Sequence, residues 1–178
     1  SAGAGHGAYH VVSAFAAESQ LVLGETCVEE KSNEIGAVPD LLDMVDVEGA
    51  IVTADAMNCQ RRTAAKAVER GADYVLGLKD NQPELLEDVR LYFGAFGRAV
   101  PRKTILDKGH GRVEEREYAL LADVGWLAQR PQWAGLNGVG RVVSTVWEKG
   151  SERTQTRYFV TSLTDVGGFA YAVTGTGP

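Results

Sequence analysis

Cysteine, histidine and long apolar runs are scarce in this 178-residue chain, and each shortage argues against a class of protein. The two cysteines, Cys27 and Cys59, have no partner at metal-ligand spacing and do not form a disulfide pattern, so we expect reduced packing residues in a cytoplasmic protein. No apolar run approaches the ~20 residues that span a bilayer, so we expect no membrane partner. A P-loop and a Gly-rich dinucleotide fingerprint are also missing, which leaves a metabolic enzyme for phosphorylated small molecules without support.

The composition is that of one soluble globular domain, with 44% hydrophobic and 24% charged residues. A net charge of −6 argues against a generic nucleic-acid binder, because phosphate contacts need clustered cations. The charges are unevenly distributed, however. Residues 1–55 hold ten acids and one base, whereas residues 56–178 hold fourteen acids and seventeen bases. An acidic first third beside a basic remainder fits an enzyme that binds metal and DNA, although solvated charged faces explain it almost as well.

The hydrophobic pattern predicts an α/β core followed by a β-rich segment. Strand and helix alternate in the first part, which predicts parallel strands joined by right-handed connections. After Gly97 the strands alternate polar and apolar residues, which predicts antiparallel pairing between glycine-containing loops. The predicted elements are a hairpin of strands 9–15 and 21–28, a helix from Ser32, strand 50–54, a helix over 58–70 capped by Asn58, strand 73–78, a helix from Pro83, strands 112–121, 140–147 and 153–161, and a helix from Val166, with Gly109, Gly111, Gly135, Gly138 and Gly150 in loops.

The most informative position is Asp55, which follows the short apolar run Ile51–Ala54. Catalytic groups of open α/β sheets gather at the carboxyl ends of such strands. A carboxylate there is a hard-oxygen ligand for Mg²⁺, the usual partner of phosphate chemistry. From spacing alone, a solvated aspartate that begins a turn or caps the next helix is the more common explanation.

Several motifs in a fixed order carry a resemblance to a known family. They are Tyr9-His-Val-Val-Ser-Ala-Phe15, Glu30-Lys-Ser-Asn-Glu34, Val52-Thr-Ala-Asp-Ala-Met57 with Cys59-Gln60, Asp73-Tyr-Val-Leu-Gly-Leu-Lys79 with Asn81-Gln82, Gly109-His-Gly-Arg-Val-Glu-Glu-Arg116, and Tyr158-Phe-Val-Thr-Ser-Leu163. The series resembles bacterial insertion-sequence transposases of the DDE superfamily, specifically the H-repeat-associated group. The resemblance covers nearly all of residues 9–173.

The resemblance implies an RNase H-like mixed sheet with flanking helices and a β-rich insertion. In that family two aspartates and one glutamate hold two divalent ions, Mg²⁺ or Mn²⁺, for cleavage and strand transfer at double-stranded transposon ends. Asp55 matches the second of these acids and is the expected catalytic and metal-binding residue. The family also implies a bacterial cytoplasmic protein, associated with the nucleoid when bound to DNA, and allows a homodimer.

This sequence departs from the family pattern at both ends. It has no Asp-Gly-Lys segment before Tyr9, and the segment that carries the family's glutamate is replaced after Val173 by a Gly/Thr tail. The interpretation is a copy truncated at both ends, without its first strand and with cleavage absent or severely reduced. A fragment of a longer active enzyme and a non-catalytic remnant that binds DNA or a transposase remain alternatives. The expected segments are 1–8 (disordered), 9–97 (partial core), 98–163 (β-rich insertion and returning strand) and 164–178 (truncated helix and tail).

Glu114 is the candidate substitute for the absent third acid, because it lies inside the Gly109–Arg116 motif. In strand geometry Arg112, Glu114 and Arg116 face the same side. The arginines would compete for the carboxylate oxygens, so an ion-pair role is favoured over a metal role. Arg112 and Arg116 are candidate contacts to DNA phosphates.

A second group of candidates follows the strand 73–78. Lys79, Asn81 and Gln82 should open on the same edge as Asp55, where they could hold a phosphate or a water. Turn and helix-capping roles explain these residues equally well. His110 lies between two glycines and is expected to be exposed. It could donate a hydrogen bond to a phosphate, although loop histidines are more often incidental.

Overall fold

The computed structural model describes residues 10–16, 21–28, 31–56 and 59–174, with side chains from residue 38 onward within those ranges. The expected mixed α/β fold is confirmed. Its elements are β1 (His10–Ala16), β2 (Leu21–Val28), α1 (Lys31–Met44), β3 (Ile51–Ala54), α2 (Arg61–Glu69), β4 (Asp73–Leu78), α3 (Pro83–Phe96), β5 (Arg102–Gly109), β6 (Arg112–Leu121), β7 (Gly138–Glu148), β8 (Ser151–Thr161) and α4 (Val166–Thr174), with a short 3₁₀ turn at Arg130–Gln132.

Two sheets are formed by the described strands. The larger sheet has the order β3-β4-β8-β7-β6-β5, and the smaller one is the β1–β2 hairpin. β3 and β4 are parallel, as the strand–helix–strand order predicted. Every other pair is antiparallel, including β8 against β4, which joins the later strands to the α/β part in one continuous sheet.

Three sequence predictions about these elements are wrong. β5 was not anticipated, and Gly109 and Gly138 lie in strands and not in loops. α2 begins at Arg61 with Gln60 as its N-terminal cap, which is later than predicted, and the predicted cap Asn58 lies outside the described residues. β5 escaped the pattern because seven of its eight residues are exposed, which leaves no alternation of polar and apolar positions to detect.

Two tight turns set the register of the later strands. His110 and Gly111 join β5 to β6 with φ of 50° and 75°, and Lys149 and Gly150 join β7 to β8 with the same values. Positive φ at both central residues is typical of a two-residue type I′ hairpin, whose twist matches that of the flanking strands. Side chains alternate between the two faces of a strand, so a shift of register by one residue would move each of them to the other face. These turns therefore decide which residues of β5–β8 share a face.

The large sheet has two faces, which carry separate hydrophobic cores. On the α3 face, Tyr74, Leu76 and Leu78 of β4 pack with buried residues of α1, α2 and α3. On the α4 face, the alternate residue Val75 packs with Tyr118, Leu120, Val142 and Phe159 of β6–β8 and with Phe169 of α4. Phe169 is fully buried, with its ring edge-on to Tyr118 and Phe159.

None of the described helices is long and apolar enough to cross a bilayer.

Candidate functional site

Asp55 lies immediately after β3, at the carboxyl end of the parallel β3–β4 pair, and it is exposed. Ala54 pairs with Leu76, so Asp55 is level with Gly77, and the Lys79–Gln82 segment follows just beyond. The structure therefore brings Asp55 together with the second group of candidates at one edge of the sheet. Ile51, two strand positions before Thr53, packs in the α4-face core, so continued alternation places Asp55 on that same face.

Gly77 allows the chain after β3 to cross close to β4. A Cβ on Gly77 would lie 3.2 Å from the Ala56 backbone N and 3.5 Å from the Asp55 carbonyl carbon. Gly77 shares the α4 face with Val75, so the Asp55–Ala56 backbone passes over that face of β4. A glycine inside a strand often marks such a close approach, so Gly77 is the residue from which the sequence could have predicted this feature.

Asn81 and Gln82 tie the connection between β3 and α2 to the start of α3. The Asn81 amide Nδ2 donates to the Ala56 carbonyl at 2.5 Å, and the Gln82 Nε2 donates to the Cys59 carbonyl at 3.1 Å. Gln82 is also the N-terminal cap residue of α3, but its side chain makes no capping hydrogen bond. These amides hold the backbone on either side of the Asp55 loop, a role that the sequence analysis did not foresee. Lys79 is exposed beside them.

The other candidates lie far from Asp55. β3 and β5 form opposite edges of the six-stranded sheet, and five strand spacings amount to about 24 Å. His110, at the β5–β6 turn, is exposed as expected. Arg112 and Arg116 lie on β6, about 19 Å from β3 by the same spacing. They do not form one compact site with Asp55.

Glu114 is held between Arg112 and Arg116. Arg116 Nε donates to Glu114 Oε1 at 2.8 Å, and Arg112 NH2 donates to Glu114 Oε2 at 3.1 Å. The hydrogen bond from Arg116, supported by the charges of both arginines, lowers the pKa of Glu114 below its ordinary value, although partial burial opposes the shift. Both carboxylate oxygens are thus engaged by guanidinium groups. This arrangement confirms the predicted ion pair.

A metal site needs several ligands grouped together, and the described residues are 10–16, 21–28, 31–56 and 59–174. Within those ranges, no three His, Cys, Asp or Glu side chains are grouped so that they could hold an ion. Asp55 is one carboxylate, and the nearest amides donate hydrogen bonds to backbone carbonyls. The described residues therefore do not by themselves fit a two-metal site.

Comparison with known protein families decides the classification. The family described as "Transposase DDE domain" matches residues 1–158. The chain belongs to this family. The resemblance to DDE-type insertion-sequence transposases is confirmed.

The chain is also similar to several individual proteins, two of which are named as transposase candidates. The chain is 37% identical over 159 residues to a protein of the dhlA 3′ region of Xanthobacter autotrophicus, which covers 88% of this chain and 54% of that protein. It is 36% identical over 172 residues to the H repeat-associated transposase candidate YhhI of Escherichia coli K12, covering 88% and 43%. A transposase candidate of Escherichia coli O157:H7, YncI, is 34% identical over 179 residues, covering 94% and 45%. The chain spans about half the length of these relatives.

Proposed function

We propose that this chain is part of a transposase that cleaves and joins DNA phosphodiester bonds, with Asp55 as one of its metal-binding carboxylates. The observation that carries the proposal is an exposed aspartate at the carboxyl end of a parallel strand pair, in a chain of the transposase DDE family. Such strand ends are where ligands of open α/β sheets collect. Gly77, Asn81 and Gln82 support the role, because they fix the backbone that carries Asp55.

The metal proposed for this site is Mg²⁺ or Mn²⁺, since a carboxylate oxygen suits hard cations. In a two-metal site the ions would activate the attacking oxygen and stabilise the leaving one. Asp55 alone would hold such an ion weakly, because a strong site needs several oxygen ligands. We therefore propose that the 178-residue chain by itself has absent or severely reduced cleavage activity, and that further acids are needed to complete the site.

The fold is proposed to be RNase H-like, with residues 9–97 as a partial core, 98–163 as the β-rich insertion and returning strand, and 164–178 as a helix start and tail. In such a core a further strand would lie between the β1–β2 hairpin and β3. The arrangement of the described strands supports this. β1 and β2 form a sheet separate from β3, and β3 pairs with β4 among the described strands.

The proposed partners are double-stranded DNA at transposon ends and a second copy of the chain in a homodimer, and the proposed location is the bacterial cytoplasm. A non-catalytic remnant that still binds DNA or an intact transposase subunit is the second candidate. The lack of a three-ligand metal cluster among the described residues favours it. The two functions differ in cleavage, not in DNA binding, so one assay on the same protein separates them.

The first experiment measures Mn²⁺ binding to the chain by paramagnetic broadening of backbone amide NMR signals. We expect weak binding, with broadening centred on Asp55, Ala56 and Gly77, because a single carboxylate supplies most of the attraction. Asp55→Asn should abolish this local broadening. The matched control, Glu87→Gln, removes an exposed acid from α3 and should leave it intact. Unchanged broadening around residue 55 in Asp55→Asn would refute the metal role.

The second experiment incubates supercoiled plasmid with the chain and Mg²⁺ or Mn²⁺. We expect no nicking above background, since one acid cannot assemble two ions. Robust nicking that Asp55→Asn abolishes would overturn the proposal of lost activity and would exclude the remnant. Nicking that both Asp55→Asn and Glu87→Gln retain would indicate a contaminating nuclease and would leave Asp55 without a catalytic role.

A further inference from the structure

The α4 face of the large sheet is divided into a covered half and an open half. α4 packs over the inner half, where Tyr118, Val142 and Phe159 are buried. The Tyr118 hydroxyl lies 2.9 Å from the Thr174 hydroxyl at the end of α4, which marks the boundary. Beyond it, β5–β8 continue outward without a covering helix among the described residues. Residues 151–156 of β8 are all exposed.

The open half, here called the outer face, is defined by register. Arg112 is opposite Glu148, Arg116 is opposite Ser144, and Val142 is opposite Arg157, so alternation places every second residue of each strand on the α4 face. The outer face begins at the row of the buried Tyr118 and Val142, with Lys103 and Arg157 on either side of them, and continues away from α4. Its members are Lys103, Ile105 and Asp107 of β5, Arg112, Glu114 and Arg116 of β6, Ser144, Val146 and Glu148 of β7, and Arg153, Gln155 and Arg157 of β8.

We infer that the outer face is a docking platform for the phosphate backbone of double-stranded DNA, leading to the edge that carries Asp55. The inference rests on the proposed function and extends it to residues of β8 that the sequence analysis did not single out. It assigns Arg153 and Arg157 to phosphate contact, together with Arg112 and Arg116. Backbone contacts position a protein on DNA without reading its sequence, so the predicted binding is sequence-independent.

Charge distinguishes this occupant from a packing helix or strand layer. The outer face holds five cations and three acids, a positive surface on a chain whose net charge is −6. Only Ile105 and Val146 are apolar. A protein element covering the face would have to bury guanidinium and carboxylate groups away from water, which costs several kcal/mol for each imperfectly paired ion. A polyanion that remains partly solvated meets no such cost.

The arginines are held ready for a second anion. Glu114 takes one N–H from each of Arg112 and Arg116, and an arginine carries five such donors. The Arg157 guanidinium lies 5.5 Å from the centre of the Phe159 ring. Arg153 is 71% exposed, and its 3.6 Å contact with Glu148 is a surface pair that is weak enough to be exchanged for a phosphate.

The outer face begins next to Asp55. Leu78 pairs with Tyr158, so Arg157 is level with Lys79, two residues beyond the level of Asp55. β3 and β8 are separated by β4, so two strand spacings, about 10 Å, separate them across the sheet. Asp55 and Arg157 are also on the same face. A duplex has a phosphate every 3.4 Å along each strand, so one molecule can reach both positions.

The test is a fluorescence anisotropy titration of labelled duplexes of two unrelated sequences, across a salt series from 50 to 200 mM. The test variant is Arg153→Gln with Arg157→Gln. The control is Arg62→Gln with Arg98→Gln, which removes the same charge from exposed positions in α2 and after α3. Circular dichroism and thermal melting establish that both variants are folded.

We expect the test variant to bind both duplexes about tenfold more weakly at 50 mM salt, and the slope of log K against log salt to fall by about 2. The control should match the unmodified chain. Equal effects of the two variants, or no DNA binding by the unmodified chain, would overturn the inference. If Mn²⁺ broadens the signals around Asp55 but the test and control variants bind DNA with the same affinity, only this inference is refuted. If the test variant alone loses DNA affinity and Mn²⁺ causes no broadening around Asp55, only the metal-site proposal is refuted.

Discussion

The packing of α4 decides which half of the sheet face is open, and its central contact can be tested with one methyl group. Gly140 of β7 lies beneath the Phe169 ring. A Cβ on Gly140 would lie 2.7 Å from Phe169 Cε2 and 2.9 Å from Cε1, and closer still to Cζ. Contacts this short do not occur between real atoms, so Gly140→Ala must displace the ring or the helix.

The size of the effect follows from the burial of Phe169. Its ring is fully buried between Tyr118 and Phe159, at centroid distances of 6.3 and 5.5 Å, so little free space exists to absorb a shift. Overpacking of this kind costs about 1–3 kcal/mol of unfolding free energy. Phe169→Leu, which shortens the side chain and leaves a cavity, should cost about 1–2 kcal/mol by itself. In the double variant the added methyl group occupies part of that cavity.

The double variant should therefore lose less stability than the sum of the two single variants, with a coupling of at least about 0.5 kcal/mol. Urea unfolding followed by circular dichroism measures all four free energies. Gly167→Ala, in the first turn of α4 where a Cβ would approach only Asp165 at 3.4 Å, serves as the control and should not couple to Phe169→Leu. Strict additivity at Gly140 and Phe169 would refute this docking of α4 and, with it, the boundary of the outer face.

Three further results are expected. Glu114→Gln should lower the free energy of unfolding by about 0.5–1 kcal/mol at pH 7. Because the folded-state pKa of Glu114 is lowered, acid unfolding curves should show this difference disappearing as pH falls below the ordinary pKa of 4.5. Burial raises the pKa of Cys59 to about 12, so iodoacetamide at pH 8 should modify Cys59 only in urea; rapid modification of the Cys59 peptide in the native protein, measured by mass spectrometry apart from the Cys27 peptide, would contradict its burial. Gly71→Ala should destabilise by about 1 kcal/mol because φ is +73°, whereas Gly94→Ala, inside α3 with open space around it, should stabilise by about 0.5–1 kcal/mol in thermal melts.

The sequence predicted the α/β part well because its signals are local. β3 and β4 are short apolar runs, and α3 begins at the proline where the sequence predicted it. β6 has the predicted bounds, Arg112–Leu121, since its inner end is apolar and a His-Gly turn precedes it. In each of these elements the stabilising residues are neighbours along the chain, so a window of ten residues contains the information.

The predictions failed at β5 and at the start of β7 for the opposite reason. β5 is a strand because β6 supplies its hydrogen-bond partners, while its own side chains are exposed on both sides. Gly138 was predicted in a loop and Gly140 at the first position of a strand, yet both lie in β7 where another chain segment comes close. A Cβ on Gly138 would lie 2.8 Å from the Leu163 carbonyl oxygen, and Gly140 faces the Phe169 ring. A sequence window shows the absence of a side chain but not the neighbour that requires it.

The same distinction separates the two parts of the candidate site. Asp55 could be found from sequence because strand and carboxylate are adjacent, but its face depends on the register of β3 with β4 and on the approach of its backbone to Gly77. Arg157 is about a hundred residues away in sequence and becomes its neighbour only because β8 returns to pair with β4. A change that shifted β8 by one residue would turn Arg157 to the α3 face and leave Asp55 where it is. The proposed DNA path therefore depends on strand register, and the Lys149–Gly150 turn that sets this register is as important to it as any cation.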